Sequence, residues 1–129
     1  MKRLVLDLET TVQRIDGKTD NSPFNPANKC VSAHFGWLGW DTVDDVQTLV
    51  FHHNEQTVPD DPEPLRQALL EADVLIAHNA KFDCLWLLEM GMPLPPSVYC
   101  TMVAEYLLSK GQRRLIGLKA TAERRSMAA

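Results

Sequence analysis

The sequence opens on KRLVLDLETT (residues 2–11), a short apolar run that ends in two acids and two threonines. Because alternate residues of a strand share a face, its three leucines point to one side and Val5, Asp7 and Glu9 point to the other. The apolar content predicts a central strand of a sheet, covered on both faces. Two acids at the end of such a strand are costly unless a positive group binds between them. A strand that frays into a solvated polar loop is the alternative at this point.

The composition is that of a soluble globular protein with a single domain. Of its 129 residues, 45% are apolar and 23% are charged, and the net charge is −4. This balance provides no general basic field, so nucleic-acid binding would require a local patch or a bound metal. Three widely spaced cysteines indicate reduced thiols rather than disulfides or a zinc site. No signal peptide or membrane-spanning run is present, which predicts a cytoplasmic protein.

The first half of the chain predicts an antiparallel meander. Residues 11–29 are rich in Gly, Pro and Asn and predict a long loop. Alternation of apolar and polar residues predicts a second strand over residues 31–40 and a third over residues 46–52. Because the links between these strands are short, the three strands are expected to pair antiparallel.

The second half alternates helices with short strands. Acids and prolines at residues 60–64 are typical of a helix start, and the wholly apolar run that follows this helix indicates a buried strand parallel to the first. The complete pattern predicts an α/β protein with a mixed five-stranded sheet flanked by helices. The predicted elements are a helix from the 60–64 start signal to residue 72, strands at 73–77 and 97–100, and helices at 81–90, at 101–109 and from residue 118.

A second acidic signal lies in LIAHNAKFD, residues 75–83. The spacing of four residues predicts that Asn79 and Asp83 share one helical face, near the carboxyl end of the preceding strand. Ligands of open α/β sheets gather at the carboxyl ends of strands. If this strand lies parallel beside the first, Asp83 meets Asp7 and Glu9 there. Taken alone, Asp83 is better explained as a solvated or helix-capping acid.

Three clustered carboxylates without Lys or Arg among them would repel one another, and their pKa values would rise. Oxygen ligands favour Mg²⁺ or Mn²⁺ over zinc. Two such ions about 3.5–4 Å apart can activate a water and stabilise the leaving oxygen of a phosphodiester. The cluster therefore predicts a divalent-cation site.

The two motifs resemble those of the DEDD-type (DnaQ-like) 3′–5′ exonuclease family, which has an RNase H-like fold. DLETT at residues 7–11 resembles the first motif of the family, and HNAKFD at residues 78–83 resembles the second. SPFNPANK at residues 22–29 and TMVAEYLL at residues 101–108 resemble proofreading domains of bacteriophage family A DNA polymerases. Many relatives, however, have Asp-Thr where this chain has Cys100 followed by threonine.

The resemblance implies an enzyme that removes 3′-terminal nucleotides with two Mg²⁺ or Mn²⁺ ions. Its expected partner is the single-stranded 3′ end of DNA, with RNA not excluded, and a host-cell cytoplasmic location follows if a phage encodes it. For His78, a hydrogen-bonded histidine at a strand end is an equally good interpretation. The residues implied by the family are Asp7, Glu9 and Asp83 for metal binding and catalysis, and Thr10, Thr11, His78 and Asn79 for substrate binding.

One departure from the family concerns its third motif, a fourth acid with a Tyr or His general base four or five residues before it. After Asp83 the sequence contains no Asp and no His. Glu105 and Glu123 remain, and both are interpreted as solvated helix acids. We therefore expect the C-terminal part of the fold to be missing from this sequence, with a DNA polymerase domain or a separate chain completing it.

Two other functions stay open from the sequence. The first is a non-catalytic RNase H-like remnant that binds nucleic acid or a polymerase partner, which the missing third motif favours. The second is a phosphotransferase of the haloacid-dehalogenase type, with Asp7 as nucleophile. Two features argue against the phosphotransferase: that class has Asp at the position of Glu9, and the C-terminal part of this sequence has no pair of Asp residues to hold Mg²⁺.

Overall fold

A computed structural model describes residues 1–52, 58–110, 112 and 115–125. Seven strands and four helices alternate along these residues in an α/β arrangement. The strands are β1 (Arg3–Thr10), β2 (Gln13–Ile15), β3 (Lys18–Asp20), β4 (Cys30–Leu38), β5 (Val43–Val50), β6 (Val74–Ala77) and β7 (Ser97–Cys100), and the helices are α1 (Glu63–Glu71), α2 (Ala80–Glu89), α3 (Thr101–Leu108) and α4 (Leu118–Arg124).

Five strands form the main sheet, in the order β5-β4-β1-β6-β7. β1 and β5 both pair antiparallel with β4, so the predicted meander is confirmed. β6 runs parallel to β1, with Leu4 opposite Leu75, and β7 runs parallel to β6. The sheet is mixed and β1 lies at its centre, as the sequence predicted.

The core lies on the face of the sheet to which the β1 leucines point. Leu4, Leu6 and Leu8 are 0–5% exposed and join a cluster with side chains of α1 and α2. On the opposite face Val5 is only partly buried, and Asp7 is exposed. The prediction that β1 is covered on both faces is therefore wrong for the described residues, which cover the second face incompletely.

Residues 11–29 hold more structure than the predicted loop, because β2 and β3 form a separate two-stranded hairpin. Its turn is Asp16-Gly17, and both residues have positive φ, at 52° and 75°. Asp-Gly is a preferred pair for the tight hairpin turn that requires this backbone. This pair was visible in the sequence, but the many Gly, Pro and Asn residues around it led to the prediction of one long loop.

The Gly111–Arg114 loop predicted between the last two helices lies largely outside the described residues. None of the helices within the described ranges has the length and apolar character needed to cross a membrane.

Candidate active site

The acids of β1 lie where this strand extends beyond its neighbour. Pairing between β1 and β6 ends at Val5 opposite Ile76, while pairing between β1 and β4 continues to Thr10. β6 ends at Ala77, and the chain then turns into α2. The carboxyl end of β1 therefore keeps an edge that the neighbouring strand does not cover.

Asp83, in the first turn of α2, meets this edge. It is 3% exposed, and the backbone amide of Leu8 donates a hydrogen bond to its carboxylate. Asp7 and Glu9, on either side of Leu8, are exposed. The structure thus brings together the three acids that the sequence predicted to meet, with Asp83 at the buried side of the group.

The electrostatics of Asp83 show how closely the acids approach. The pKa of the Asp83 carboxyl is raised to about 7, first by burial and next by the negative charge of Asp7. The Leu8 amide lowers the pKa, and Glu9 again raises it. The expected rise in pKa among clustered carboxylates is therefore found at Asp83, because the charge is held out of water and beside two like charges.

The described part of the chain provides no ion-pair partner for this cluster. None of the ion pairs between described residues includes Asp7, Glu9 or Asp83. Three carboxylates without a basic partner are the hard oxygen donors that Mg²⁺ and Mn²⁺ prefer. The donor set fits a divalent cation, although no three His, Cys, Asp or Glu side chains in the described ranges are already arranged as metal ligands.

The two threonines predicted to bind substrate differ in their surroundings. Thr10 is partly exposed after a register shift that places it opposite Cys30. The Thr11 hydroxyl donates to Asn28 Oδ1 over 3.3 Å and accepts a hydrogen bond of 2.8 Å from the Lys29 amide. Thr11 therefore closes the loop that follows β1, while a substrate role for Thr10 stays a prediction.

His78 lies between three parts of the chain. Its Nε2 lies 2.8 Å from the carbonyl oxygen of Ile116, and its Nδ1 lies 2.8 Å from the hydroxyl of Thr101. Both ring nitrogens are thus engaged in hydrogen bonds that join the end of β6, the start of α3 and the segment before α4. These contacts favour the structural interpretation of His78 over direct binding of substrate.

Asn79 precedes α2 and is not part of it. Its backbone is left-handed, with φ of 62° and ψ of 56°, and its side chain makes no capping hydrogen bond. The prediction that Asn79 and Asp83 share a helical face is therefore wrong, since the four-residue rule holds only inside a helix. Asn79 is exposed, and its substrate role stays a prediction.

Glu105 is not available as a substitute fourth acid. It is 4% exposed, and its two carboxylate oxygens accept hydrogen bonds from Arg124 and Arg125 at 3.0–3.2 Å. The prediction of a solvated helix acid is wrong for this residue, because the fold of α4 against α3 brings both arginines to it. Glu123 is exposed, as predicted.

Cys100, whose surroundings the sequence did not indicate, lies where two helices begin. The Ala80 amide, in the first turn of α2, donates to Cys100 Sγ over 3.3 Å. Partial burial raises the pKa of this thiol, but backbone amides outweigh burial and hold the pKa below its usual value. The four donors are the amides of Ala80, Val103, Met102 and Asn79. The same amides would suit the Asp that many relatives carry here.

We expect Cys100 to be the fastest of the three cysteines to react with iodoacetamide at neutral pH, by at least tenfold, since the thiolate is the nucleophile. Burial raises the pKa of Cys30 to about 11, and burial followed by the charge of Asp83 raises that of Cys84. Peptide mapping of the folded protein by mass spectrometry measures the three rates. Faster labelling of Cys30 or Cys84 would contradict this assignment.

Comparison with known proteins gives the family to which this α/β chain belongs. A family model described as 3′–5′ exonuclease matches residues 45–127, more than half of the chain. The chain therefore belongs to this family of 3′–5′ exonucleases. Asp83 lies within the matched range, while Asp7 and Glu9 precede it. No curated protein sequence matches the chain.

Solved nucleases share the fold. Brucella melitensis NrnC with bound Mg²⁺ is 18% identical with a TM-score of 0.65, and the match covers 98% of this chain and 54% of that one. Exonuclease X in complex with 5′ overhanging duplex DNA is 13% identical with a TM-score of 0.57, covering 98% and 75%. A further structure, described as the apo form of the nuclease, is 19% identical with a TM-score of 0.63, covering 95% and 50%. The chain thus spans about half the length of the first nucleases that it matches, and the expected RNase H-like fold is confirmed.

Proposed function

We propose that this chain acts in a 3′–5′ exonuclease domain, and that Asp7, Glu9 and Asp83 hold two Mg²⁺ or Mn²⁺ ions. The observation that carries the proposal is the buried Asp83 carboxylate beside two other acids with no basic partner. When bound, such ions activate a water and stabilise the leaving oxygen of a phosphodiester. NrnC, which shares the fold, was solved with bound Mg²⁺ and supports this cofactor.

The chain's own residues would position the terminal nucleotide. Thr10 and Asn79 both reach the surface beside the acids and carry polar side chains suited to sugar and phosphate. His78 and Thr11 would act indirectly, since each holds a segment that borders the site. The substrate would be the single-stranded 3′ end of DNA, with RNA an alternative because contacts to phosphate do not read bases.

We further propose that the chain comes from a proofreading domain of a phage-type DNA polymerase. The support is the resemblance of residues 22–29 and 101–108 to such domains. The fourth acid and the general base would then come from residues outside this sequence, because residues 84–129 contain no Asp or His and Glu105 is already paired. Hydrolysis by this chain alone is expected to be slow.

The rival is a non-catalytic remnant that binds nucleic acid or a polymerase partner, favoured by the same missing acid. Membership of the exonuclease family leaves the haloacid-dehalogenase alternative without support.

The test is release of mononucleotides from single-stranded DNA labelled at its 3′ end, with Mn²⁺ present. We expect slow release by the parent chain and none by Asp7→Ala, and a strand labelled at its 5′ end should shorten one nucleotide at a time. A folded parent that releases nothing would overturn the catalytic proposal and favour the remnant. An RNA strand of the same sequence measures the preference between the two nucleic acids.

A further inference from the structure

Residues 12–29, here called the arm, leave and rejoin the main sheet beside the acidic cluster. The Thr11 amide donates to the Lys29 carbonyl over 2.9 Å, directly below the pairing of Thr10 with Cys30. Trp86, one turn after Asp83 in α2, donates from its Nε1 to the Asn21 carbonyl over 3.2 Å. The arm is therefore held on both sides of the site, against β1 and against α2.

Side-chain hydrogen bonds fix the shape of the arm beyond the hairpin. The Asp20 carboxylate accepts hydrogen bonds from the Ser22 amide and from Asn25 Nδ2, at 2.8 and 3.0 Å. Asn28 is 7% exposed and donates from Nδ2 to the carbonyls of Asp20 and Ser22, both at 3.0 Å. Pro23 is buried beneath this turn. The tip of the arm is thus preorganised before any partner binds.

This ordered tip exposes an aromatic ring. Phe24 is 69% exposed, and its backbone amide is held by the Ser22 hydroxyl over 3.1 Å. Val12 and Ile15, nearer the hairpin, are each 53% exposed. Single exposed apolar side chains are common on protein surfaces, but an ordered turn holds Phe24 in solvent, so its ring is available to a partner at little conformational cost.

The arm is also locally basic in a chain of net negative charge. Arg14, Lys18 and Lys29 are exposed, and none of them takes part in an ion pair with another described residue. Against them stand two acids, Asp16 and Asp20, so the arm carries a net charge of +1. A backbone hydrogen bond from Ser22 and a side-chain hydrogen bond from Asn25 lower the pKa of Asp20, which stays ionised inside the arm. The positive charge is complementary to a phosphate backbone.

We propose that the arm binds the single strand of nucleic acid that leads into the acidic site, with Phe24 stacking on a base and the three cations contacting phosphates. Alternation of aromatic and cationic groups is how proteins hold single strands without reading their sequence. The Asn28 side chain links Thr11 to the Ser22 carbonyl by two successive hydrogen bonds, so the turn that carries Phe24 is tied to the residue that directly follows β1. This inference rests on the proposed function.

Binding without hydrolysis tests the arm directly. Anisotropy of a fluorescent 12-nucleotide single strand, measured in EDTA, gives the dissociation constant of Phe24→Ala, with Phe24→Trp as the conservative variant. We expect Phe24→Ala to bind about tenfold more weakly, as stacking positions do on truncation, and Phe24→Trp to bind as the parent does. Trp40→Ala is the matched control, because Trp40 is 100% exposed and lies beyond β4, at the opposite end of the sheet.

The cations are tested by the salt dependence of binding. Replacing Arg14, Lys18 and Lys29 together by Ala should reduce the slope of log K against log salt by about 0.7 for each lost phosphate contact. Quenching of 2-aminopurine at successive positions of the strand then locates the base that stacks on Phe24.

The outcomes separate this inference from the proposed function. Equal binding by Phe24→Ala and Trp40→Ala overturns the arm proposal even if the parent degrades DNA. If the parent binds DNA but releases no nucleotides, and Phe24→Ala binds more weakly than the parent, the arm proposal is supported. Only the catalytic proposal is then overturned. A parent that binds no single strand overturns the arm proposal outright.

Discussion

Replacing Asp83 by Asn is expected to stabilise the metal-free protein at pH 8 while lowering its Mn²⁺-dependent hydrolysis by a hundredfold or more. Asn keeps the size of the side chain and an oxygen that accepts the hydrogen bond from the Leu8 amide. It removes a buried negative charge that Asp7 and Glu9 repel. Mutation of a group that only supports a metal ligand lowers metal affinity or activity by about 10–100-fold. Loss of the ligand itself should lower them at least as much.

The stabilisation follows from the raised pKa of Asp83. The pKa of Asp83 is about 7 in the folded state, against an ordinary value of 3.8. Ionisation of this carboxyl above pH 7 therefore destabilises the folded state. Removing this buried charge by the Asn substitution should raise the free energy of unfolding at pH 8 by roughly 2–3 kcal/mol.

Urea unfolding in EDTA and hydrolysis in Mn²⁺ measure the two effects on the same preparations. Asp41→Asn is the matched control, because Asp41 is an exposed acid between β4 and β5, and it should change neither quantity. An Asp83→Asn variant that is less stable than the parent at pH 8 would contradict the electrostatic account.

The second large effect is a dependence of stability on pH that a divalent cation reverses. Between about pH 4 and pH 7 folded Asp83 keeps a proton that the unfolded chain releases, so the folded state binds more protons in this window. Stability therefore falls as pH rises through it, by roughly 2 kcal/mol between pH 5 and pH 8 from this group. Mg²⁺ should restore stability at pH 8, since it binds the ionised cluster of the folded state.

Thermal unfolding at pH 5 and pH 8, with EDTA or with Mg²⁺, measures this linkage. The informative quantity is the difference between parent and Asp83→Asn, because other titrating groups cancel in it. We expect that difference to grow with pH in EDTA and to shrink with Mg²⁺. Equal stabilisation of both proteins by Mg²⁺ at pH 8 would place the cation elsewhere.

The sheet could be predicted from sequence because its signals are local. Alternation in β1 identified the leucines that form the core and the acids that face away from it. The apolar run of β6, preceded by a helix, identified a parallel neighbour, and the helix after β6 carries Asp83 to where the charges of Asp7 and Glu9 act on it.

The features that the sequence did not reveal depend on tertiary contacts or on backbone conformation. Glu105 becomes buried only because α4 brings two arginines to it from about twenty residues away. Asn79 adopts a left-handed backbone at the turn from β6 into α2, which the four-residue spacing could not indicate. The low pKa of Cys100 arises from amides of two helices that meet only in the fold.

Binding of Mn²⁺ is the most direct test of the central claim that Asp7, Glu9 and Asp83 form one cation site. Calorimetric titration at pH 8 compares the parent with Asp7→Asn, Glu9→Gln and Asp83→Asn, with Asp41→Asn as the control. The account predicts that the parent and the control bind equally and that each of the three variants binds at least tenfold more weakly. Binding that survives all three substitutions, or a folded parent that binds no Mn²⁺, would contradict it.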